Sequence, residues 1–436
     1  MMQALRARLP KGRLRRAVTV SVTGTALGQL IVLAASPVVT RLYTPEDFGV
    51  LGVFSALLGI LGIAVALRYE LAIPLAEDDV SVVNLLALSL IVTLVVSFLV
   101  GLTLWPWGEV ITGWLNAEAL YPLLWLLPVG LFATGCGRAL THWAIRRQAF
   151  GRITRTEISR SIGRIVTQIG FGFLVPGPLG LLVGQVVGQS AGITTLALAF
   201  HRSDGRMLRA IRLRSMARAA ARFGNLPTFA TGAALLNNGG RLAPALLVAA
   251  LYGVEVVGWF ALAQKILQMP VYLSTAVARV YLSEAPRLAR AGGEGIDALF
   301  KATTWRLLAF GVLSLGLVVI AGPQLFALVF GSAWAEAGRF AQFIAFMSLG
   351  QLVVAPVSQT LTVLERQDVQ LAWDALRFGA LLLVFLAAHQ LAWSPLTTIA
   401  VLSAAMTICH ILLFVLTRQV LLAHLRSRAR SEAPRP

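Results

Sequence analysis

Apolar runs long enough to cross a bilayer recur along almost the entire chain, and short polar segments separate them. A membrane-spanning helix needs about 20 mostly apolar residues. Because the first run is longer than the roughly 7–15 apolar residues of a secretory signal, it is predicted to remain as a helix. The pattern predicts an all-α membrane protein with about twelve transmembrane helices. The predicted spans lie near residues 17–40, 49–67, 81–105, 121–144, 158–175, 179–200, 223–250, 254–280, 302–322, 338–363, 369–390 and 395–420.

Basic residues are concentrated on one side of the predicted membrane. One side holds the two terminal tails and the 145–157 and 201–222 loops, all of them rich in arginine. On the other side, whose loops include 41–48 and 106–120, Arg41 is the one basic residue. Loops rich in arginine and lysine stay in the cytoplasm. Both termini are therefore predicted to be cytoplasmic, in a bacterial inner-membrane protein.

The composition sharpens this picture. The chain is 57% hydrophobic and 13% charged, whereas a soluble protein carries roughly 25% charged residues, which excludes a soluble protein with one apolar patch. The net charge of +18 is concentrated in loops, which favours membrane lipids over nucleic acid as partners. The 201–222 loop alternates arginines with Leu208, Ile211 and Met216 and predicts a basic amphipathic helix on anionic lipid. The 2 cysteines and 5 histidines have no metal-binding spacing, so neither a metal nor a cofactor is predicted.

Part of the sequence is repeated. The pattern Leu-Tyr-x-x-Glu-x-x-Gly occurs at residues 42–49 and again at 251–258, and Thr-Gly-x-Ala-Leu precedes both copies. A repeat with an even number of spans predicts two six-helix bundles related by a pseudo-twofold axis along the membrane normal. The predicted organisation is a cytoplasmic basic tail (1–16), an N-terminal bundle (17–200), a basic cytoplasmic linker (201–222), a C-terminal bundle (223–420) and a cytoplasmic tail (421–436).

The first helix of each half is a predicted cavity wall. Span 7 carries an Asn-Asn-Gly-Gly-Arg run at 237–241, between Pro227 and Pro244. This composition predicts a broken helix, and irregular backbone is tolerated at membrane depth only where it is buried in protein or lines a wet cavity. Transporters of this design bind their substrate between the two halves.

Four motifs make the sequence resemble a known family. They are Thr40-Arg41-Leu42-Tyr43-Thr44-Pro45-Glu46-Asp47-Phe48-Gly49, Arg68-Tyr69-Glu70-Leu71-Ala72-Ile73-Pro74, Trp143-x-x-Arg146-Arg147-Gln148-x-Phe150 and Gly258-Trp259-Phe260-Ala261-Leu262-Ala263-Gln264-Lys265-Ile266-Leu267-Gln268-Met269-Pro270. The family is the oligosaccharide-lipid (Wzx-like) flippases of the multidrug/oligosaccharidyl-lipid/polysaccharide (MOP) exporter superfamily. The likeness covers most of the chain and is clearest over 20–190 and 250–290.

This resemblance implies a function. It implies alternating access between the two bundles and a substrate of undecaprenyl-pyrophosphate carrying a short sugar repeat. The substrate would move from the cytoplasmic to the periplasmic leaflet for O-antigen, capsule or exopolysaccharide assembly. A polysaccharide polymerase and a chain-length regulator are the partners to expect.

Charged residues inside spans indicate where such a substrate would bind. An arginine or lysine at a helix centre costs roughly 2.5–3.5 kcal/mol on insertion scales, and the arginine fork pairs well with phosphate. The cavity candidates are Arg241, Lys265, Asn237, Asn238, Gln29 and Arg138. Structural alternatives stay open for the three basic residues. Arg241 could snorkel to an interface or cap a helix, and Lys265 could pair with another side chain. Arg138 lies nearer a helix end, and a structural role is favoured for it.

Two further sets of charges receive a different interpretation. Asp374 lies three residues before Arg377, which predicts an ion pair within one helix. A structural role is favoured for this pair, and the same two residues are the candidates for coupling to a H⁺ or Na⁺ gradient. Arg160 and Arg164 are interpreted as interfacial anchors.

Three rival functions stay open. A multidrug exporter with cationic substrates would need an acidic cavity, and a lipid II flippase often carries additional helices. A membrane polymerase or ligase usually places its catalytic residues on a large periplasmic loop, whereas the predicted outer loops here are short. A transporter is therefore favoured over an enzyme.

Overall fold

The computed structural model describes residues 11–290 and 294–432, and these residues form helices and connecting turns without a strand. The predicted class, an all-α membrane protein, is confirmed. The α-helices are α1 (Lys11–Leu42), α2 (Pro45–Ala64), α3 (Asp79–Trp114), α4 (Leu126–Arg146), α5 (Phe150–Leu174), α6 (Leu179–Ser190), α7 (Ile193–Asp204), α8 (Leu213–Arg222), α9 (Thr231–Tyr252), α10 (Val254–Arg290), α11 (Glu294–Phe330), α12 (Ala335–Val357), α13 (Gln359–Val363), α14 (Gln367–Gln390) and α15 (Pro395–Glu432).

These helices account for every predicted span. The α6–α7 pair fills one predicted span, and α12 with α13 fills another. Within the described residues, 8 helical segments are long and apolar enough to cross a membrane, and α1 adds the shorter apolar stretch Leu27–Leu42. The helices α4, α5 and α9 fall short of that apolarity because polar side chains interrupt them. This is the pattern of a multi-pass membrane protein, and the less apolar helices α4 and α9 carry the cavity candidates Arg138, Asn237, Asn238 and Arg241.

Local signals explain where several helices begin. Thr44 caps α2 by accepting a hydrogen bond from the Asp47 amide, and the Asp47 side chain accepts a bond from the Thr44 amide in return, which is a capping box. Asp78 caps α3 through the Ser81 amide at 2.7 Å, and this bond lowers the pKa of the Asp78 carboxyl. Gly253 separates α9 from α10 at φ 81°, a conformation that glycine adopts without steric cost.

The chain groups into two compact units, Met1–Gly258 and Trp259–Pro436. In the first unit a core forms around Trp143, which is fully buried and meets Phe200 edge-to-face at 5.4 Å. Close packing of α1 on α5 depends on Gly28, where an added Cβ would lie 2.8 Å from the Ser161 hydroxyl. In the second unit, α11 and α12 meet backbone to backbone at Gly322 and Gly338. The bundle boundaries predicted from the repeat stay a prediction.

The predicted break in span 7 is wrong. The 237–241 run lies inside the continuous helix α9, and the irregular backbone comes earlier, as the π-helical segment Leu226–Ala230 that begins beside Pro227. Glycine and asparagine lower helix propensity but keep their N–H donors. Proline removes a donor, so the hydrogen-bond register shifts at Pro227.

The 201–222 segment is less regular than a single amphipathic helix. Helix α7 continues to Asp204, a 3₁₀ turn covers Gly205–Ala210, and α8 follows. Met216 of α8 is buried while Leu213 is 80% exposed. The apolar Leu213 side chain is thus exposed at the protein surface, as expected of a helix that lies on lipid. Residues 1–10 of the predicted cytoplasmic basic tail lie outside the described residues.

Candidate substrate-binding site

A strained turn after α2 carries two charged residues into the first unit. Leu67 and Arg68 both have positive φ, 46° and 63°, a conformation that costs roughly 1–3 kcal/mol for a residue other than glycine. The 3₁₀ helix Tyr69–Leu75 follows, and within it Glu70 is 1% exposed. Neither the Nε of Arg68 nor the Oε2 of Glu70 has a hydrogen-bond partner among the described residues. Buried polar atoms are normally paired, so this turn holds unused hydrogen-bonding capacity.

Arg138 of α4 points into the same region. Its Nη1 donates to the carbonyl oxygen of Gly62, near the end of α2. The Arg138 guanidinium interacts electrostatically with Glu70, Arg68 and Arg160. Burial raises the pKa of the Glu70 carboxyl, and a backbone hydrogen bond, followed by the guanidinium groups of Arg138 and Arg68, opposes that effect.

Two arginines of α5 complete the cluster. Arg160 and Arg164 are four residues apart and share one face of the helix. Arg160 Nη1 donates to Glu157 Oε1 at 3.0 Å, and Arg164 interacts electrostatically with both residues. The Nε of each arginine is buried and has no acceptor among the described residues.

Glycines on neighbouring helices make room for these guanidinium groups. A Cβ on Gly137 of α4 would overlap Nη2 of Arg160, and a Cβ on Gly188 of α6 would lie 2.9 Å from Nε of Arg164. Gly137 is therefore explained by the close approach of α5 to α4, whereas Gly135 accommodates Thr93 of α3. Small residues allow such approach between membrane helices.

The cluster has more positive than negative groups. Its arginines are Arg68, Arg138, Arg160 and Arg164, and its carboxylates are Glu70 and Glu157. Buried charges need partners because desolvation is costly. Buried Nε–H donors on these half-buried arginines suit an anion that can accept several charge-assisted hydrogen bonds, above all a phosphate. The arrangement is chemically an anion site.

The six residues predicted to line the cavity are spread over several helices, and only one of them belongs to the arginine cluster. Arg138 belongs to the cluster, and Gln29 is half-buried on α1. On α9, Arg241 is exposed, and Asn238 Nδ2 donates to the Ala234 carbonyl at 3.0 Å. Lys265 is half-buried on α10 in the second unit and has an interaction partner. The side chain of Asn237 lies outside the described part of the chain. The substrate-binding roles of these residues stay predictions.

The ion pair predicted within span 11 is present. Asp374 Oδ1 and Arg377 Nη2 are 3.4 Å apart. The Arg377 guanidinium also lies over the Trp373 ring, 4.9 Å from its centroid. Trp373 Nε1 donates in turn to the Cys409 carbonyl at 2.7 Å, so the pair is anchored to α15. The gradient-coupling role of this pair remains a prediction.

Most residues of the cluster are not predicted from the sequence to belong to a binding site. Arg68 and Glu70 stand out there only as motif residues, and Arg160 and Arg164 are predicted to be interfacial anchors. Glycines at 135 and 137, and again at 184 and 188, are the available signal, because spaced small residues mark where a neighbouring helix comes close. They do not reveal which helix, or which side chain, fills the space.

Comparison with known proteins supports the family. Residues 38–339 match the profile of the family described as polysaccharide biosynthesis protein, whereas no curated protein matches the chain. The fold is similar to an inward-facing multidrug resistance MATE family transporter of the MOP superfamily, with a TM-score of 0.75, 14% identity, and coverage of 93% of this chain and 96% of that one. It is also similar to the lipid II flippase MurJ in an inward closed conformation (TM-score 0.70, 10% identity, coverage 95% and 90%).

A third similar structure is a point mutant of the Vibrio cholerae MATE transporter VcmN, with a TM-score of 0.58, 16% identity, and coverage of 95% and 97%. At these identities the likeness concerns the fold: about twelve helices in two bundles, as predicted. The family profile covers most of the chain and agrees with the motifs found in the sequence. The chain therefore belongs to the polysaccharide biosynthesis proteins, and specifically resembles their Wzx-like flippases with the fold of the MOP superfamily.

Proposed function

We propose that this protein is a flippase that moves undecaprenyl-pyrophosphate-linked oligosaccharide repeat units from the cytoplasmic to the periplasmic leaflet of the inner membrane. The observation that carries the proposal is the half-buried arginine cluster, in which the Nε atoms of Arg68, Arg160 and Arg164 are buried and have no acceptors among the described residues. The family match to polysaccharide biosynthesis supplies the biological setting. A pyrophosphate headgroup supplies the acceptors.

The chemistry of the headgroup fits this cluster. Each phosphate of the pyrophosphate linkage carries negative charge and presents oxygens to which a guanidinium can donate two parallel bonds. Arg138 already donates to Gly62 and Arg160 to Glu157. Each retains further N–H groups, since a guanidinium has five. The lipid tail would stay in the bilayer while the sugars and phosphates occupy the polar interior.

The positive net charge of the cluster favours a flippase over an exporter of cationic compounds. A multidrug exporter for cationic compounds needs carboxylates in excess, whereas this cluster holds four arginines and only two carboxylates, Glu70 and Glu157. A lipid II flippase would share the pyrophosphate chemistry, so the distinction between the two flippases rests on the sugar.

The test is deletion of the gene in its host, followed by assays of surface polysaccharide and of lipid-linked repeat units in the membrane. We expect surface polymer to disappear and single lipid-linked units to accumulate on the cytoplasmic side. Complementation with the wild-type gene and with Arg339→Ala should restore polymer, whereas Arg138→Ala should not. Arg339 is a suitable control because its side chain is 57% exposed.

Other results would overturn the assignment. Unchanged surface polymer together with higher drug susceptibility would replace it with the exporter function. Arrest of cell-wall synthesis with accumulation of lipid II would replace it with the lipid II flippase function.

A further inference from the structure

The two copies of the sequence repeat meet each other in the first unit. Gly49 lies in the first turns of α2, and Gly258 occupies the equivalent position of α10. A Cβ built on Gly49 would overlap the backbone carbonyl of Val254, and one built on Gly258 would overlap the backbone carbonyl of Pro45. In the repeat, Pro45 and Val254 are themselves equivalent positions.

The contact is therefore reciprocal. Each helix start uses its own glycine to receive the first carbonyl of the other helix, as expected when two equivalent segments pack around a pseudo-twofold axis. A Cβ on Gly258 would also lie 3.2 Å from the Gly49 amide nitrogen. At these two positions the helix starts approach each other backbone to backbone, and any side chain at 49 or 258 would separate them.

Two further contacts lie near this one, and they join α9 to α2 and to the residue that follows α3. A Cβ on Gly59 of α2 would lie 2.8 Å from Leu242 Cδ1 of α9. Asn116, which follows α3 at φ 45°, donates from Nδ2 to the Ala250 carbonyl at 2.9 Å. Side chains that hydrogen-bond the last carbonyls of a helix stabilise its C-terminus. The end of α9 is therefore held next to the reciprocal glycine contact.

We propose that Gly49 and Gly258 form a backbone-to-backbone lock that closes the transport path at the side predicted to be periplasmic. The 42–49 and 251–258 segments both lie at the loops with few basic residues. Alternating access requires the two repeats to touch at one end of the path and then part. A contact made at two glycines can form and break with little rotamer cost at those positions, since glycine has no side chain to order.

The lock predicts a particular response to alanine. Alanine has a higher helix propensity than glycine, so Gly49→Ala and Gly258→Ala do not weaken α2 or α10 as helices. Their added methyl group instead meets a backbone carbonyl that cannot rotate away. Both variants should hold the lock open, whereas Gly316→Ala should have no effect because nothing lies within 4 Å of a Cβ at that helical position.

The test measures the distance between the two helix starts. Glu46 and Glu255 are exposed and are replaced by cysteine in a Cys136→Ser, Cys409→Ser background, spin-labelled and measured by double electron–electron resonance in nanodiscs. We expect a short-distance population in the background protein and in Gly316→Ala, and its loss in Gly49→Ala and Gly258→Ala. The same alanine variants should lower flipping of a fluorescent lipid-linked oligosaccharide to the background level.

A second variant separates backbone contact from ordinary side-chain packing. Val254→Ala removes a side chain but keeps the carbonyl that Gly49 meets, so the short distance should persist. Loss of the short distance in Val254→Ala, or its retention in Gly49→Ala and Gly258→Ala, would overturn the lock. The flipping readout rests on the proposed function, but the distance readout does not: short distances that respond as expected in a protein that flips no oligosaccharide would refute the substrate and leave the lock standing.

Discussion

Arg160→Ala is the substitution that most directly probes the arginine cluster. The Arg160 side chain is 19% exposed and its Nε is buried without an acceptor among the described residues. A hydrogen bond to a charged group contributes about 1.5–3 kcal/mol, which corresponds to a loss of about 10- to 150-fold in affinity. Arg160→Lys keeps the charge but loses the planar fork, so its affinity should fall between those of wild type and alanine.

The structure indicates that this variant will fold. Glu157, which loses its partner, is 34% exposed, so water can solvate its carboxylate. Gly137 leaves space only for the arginine head that is removed. The defect should therefore appear in binding and not in the amount of protein in the membrane.

The assay is binding of undecaprenyl pyrophosphate to the purified protein, measured by microscale thermophoresis at fixed salt. The matched control is Arg339→Ala, since Arg339 pairs with Glu336 at the same spacing, at 2.9 Å, but on an exposed surface. We expect wild-type affinity for this control. Equal affinity of wild type and Arg160→Ala, or equal losses in Arg160→Ala and Arg339→Ala, would refute the assignment of the cluster to the headgroup.

Three further substitutions test other parts of the molecule. Gly137→Ala should displace the Arg160 guanidinium and weaken undecaprenyl pyrophosphate binding in the same assay, with little change in the thermal midpoint of unfolding; unchanged affinity would contradict the packing argument. Trp143→Phe removes a buried 2.7 Å bond to Asp204, a bond to a carboxylate that contributes about 1.5–3 kcal/mol. This variant should lower the thermal midpoint in detergent without changing headgroup affinity, and an unchanged midpoint would show that the bond contributes nothing. Asp374→Asn should leave binding intact and remove the dependence of flipping in proteoliposomes on an imposed H⁺ or Na⁺ gradient, whereas full gradient dependence in this variant would exclude Asp374 as the coupling group.

The spans can be predicted from sequence because their signal is local. A run of about 20 apolar residues is sufficient evidence for a helix in a bilayer. The ion pair of Asp374 and Arg377 is predictable for the same reason, since residues three apart share a helix face. The break expected at 237–241 is wrong because composition reports propensity, while the hydrogen-bond register depends on where a donor is missing, here at Pro227.

The arginine cluster cannot be predicted in the same way. Its members come from α4, α5 and the turn after α2, and no local pattern records which helices become neighbours. Arg160 and Arg164 on one helix face are compatible with an interfacial anchor and with a buried site. The glycines opposite them decide between these interpretations, and only the packed structure shows which glycine faces which arginine.

The central claim is that the arginine cluster serves translocation of a lipid-linked oligosaccharide. The most direct measurement reconstitutes the protein in liposomes with a fluorescent undecaprenyl-pyrophosphate oligosaccharide and follows quenching by a membrane-impermeant reductant. Wild-type protein and Arg339→Ala should make the inner-leaflet lipid accessible, and an Arg138→Ala, Arg160→Ala, Arg164→Ala triple variant should remain at the rate of protein-free liposomes. Wild-type flipping by the triple variant would contradict the account.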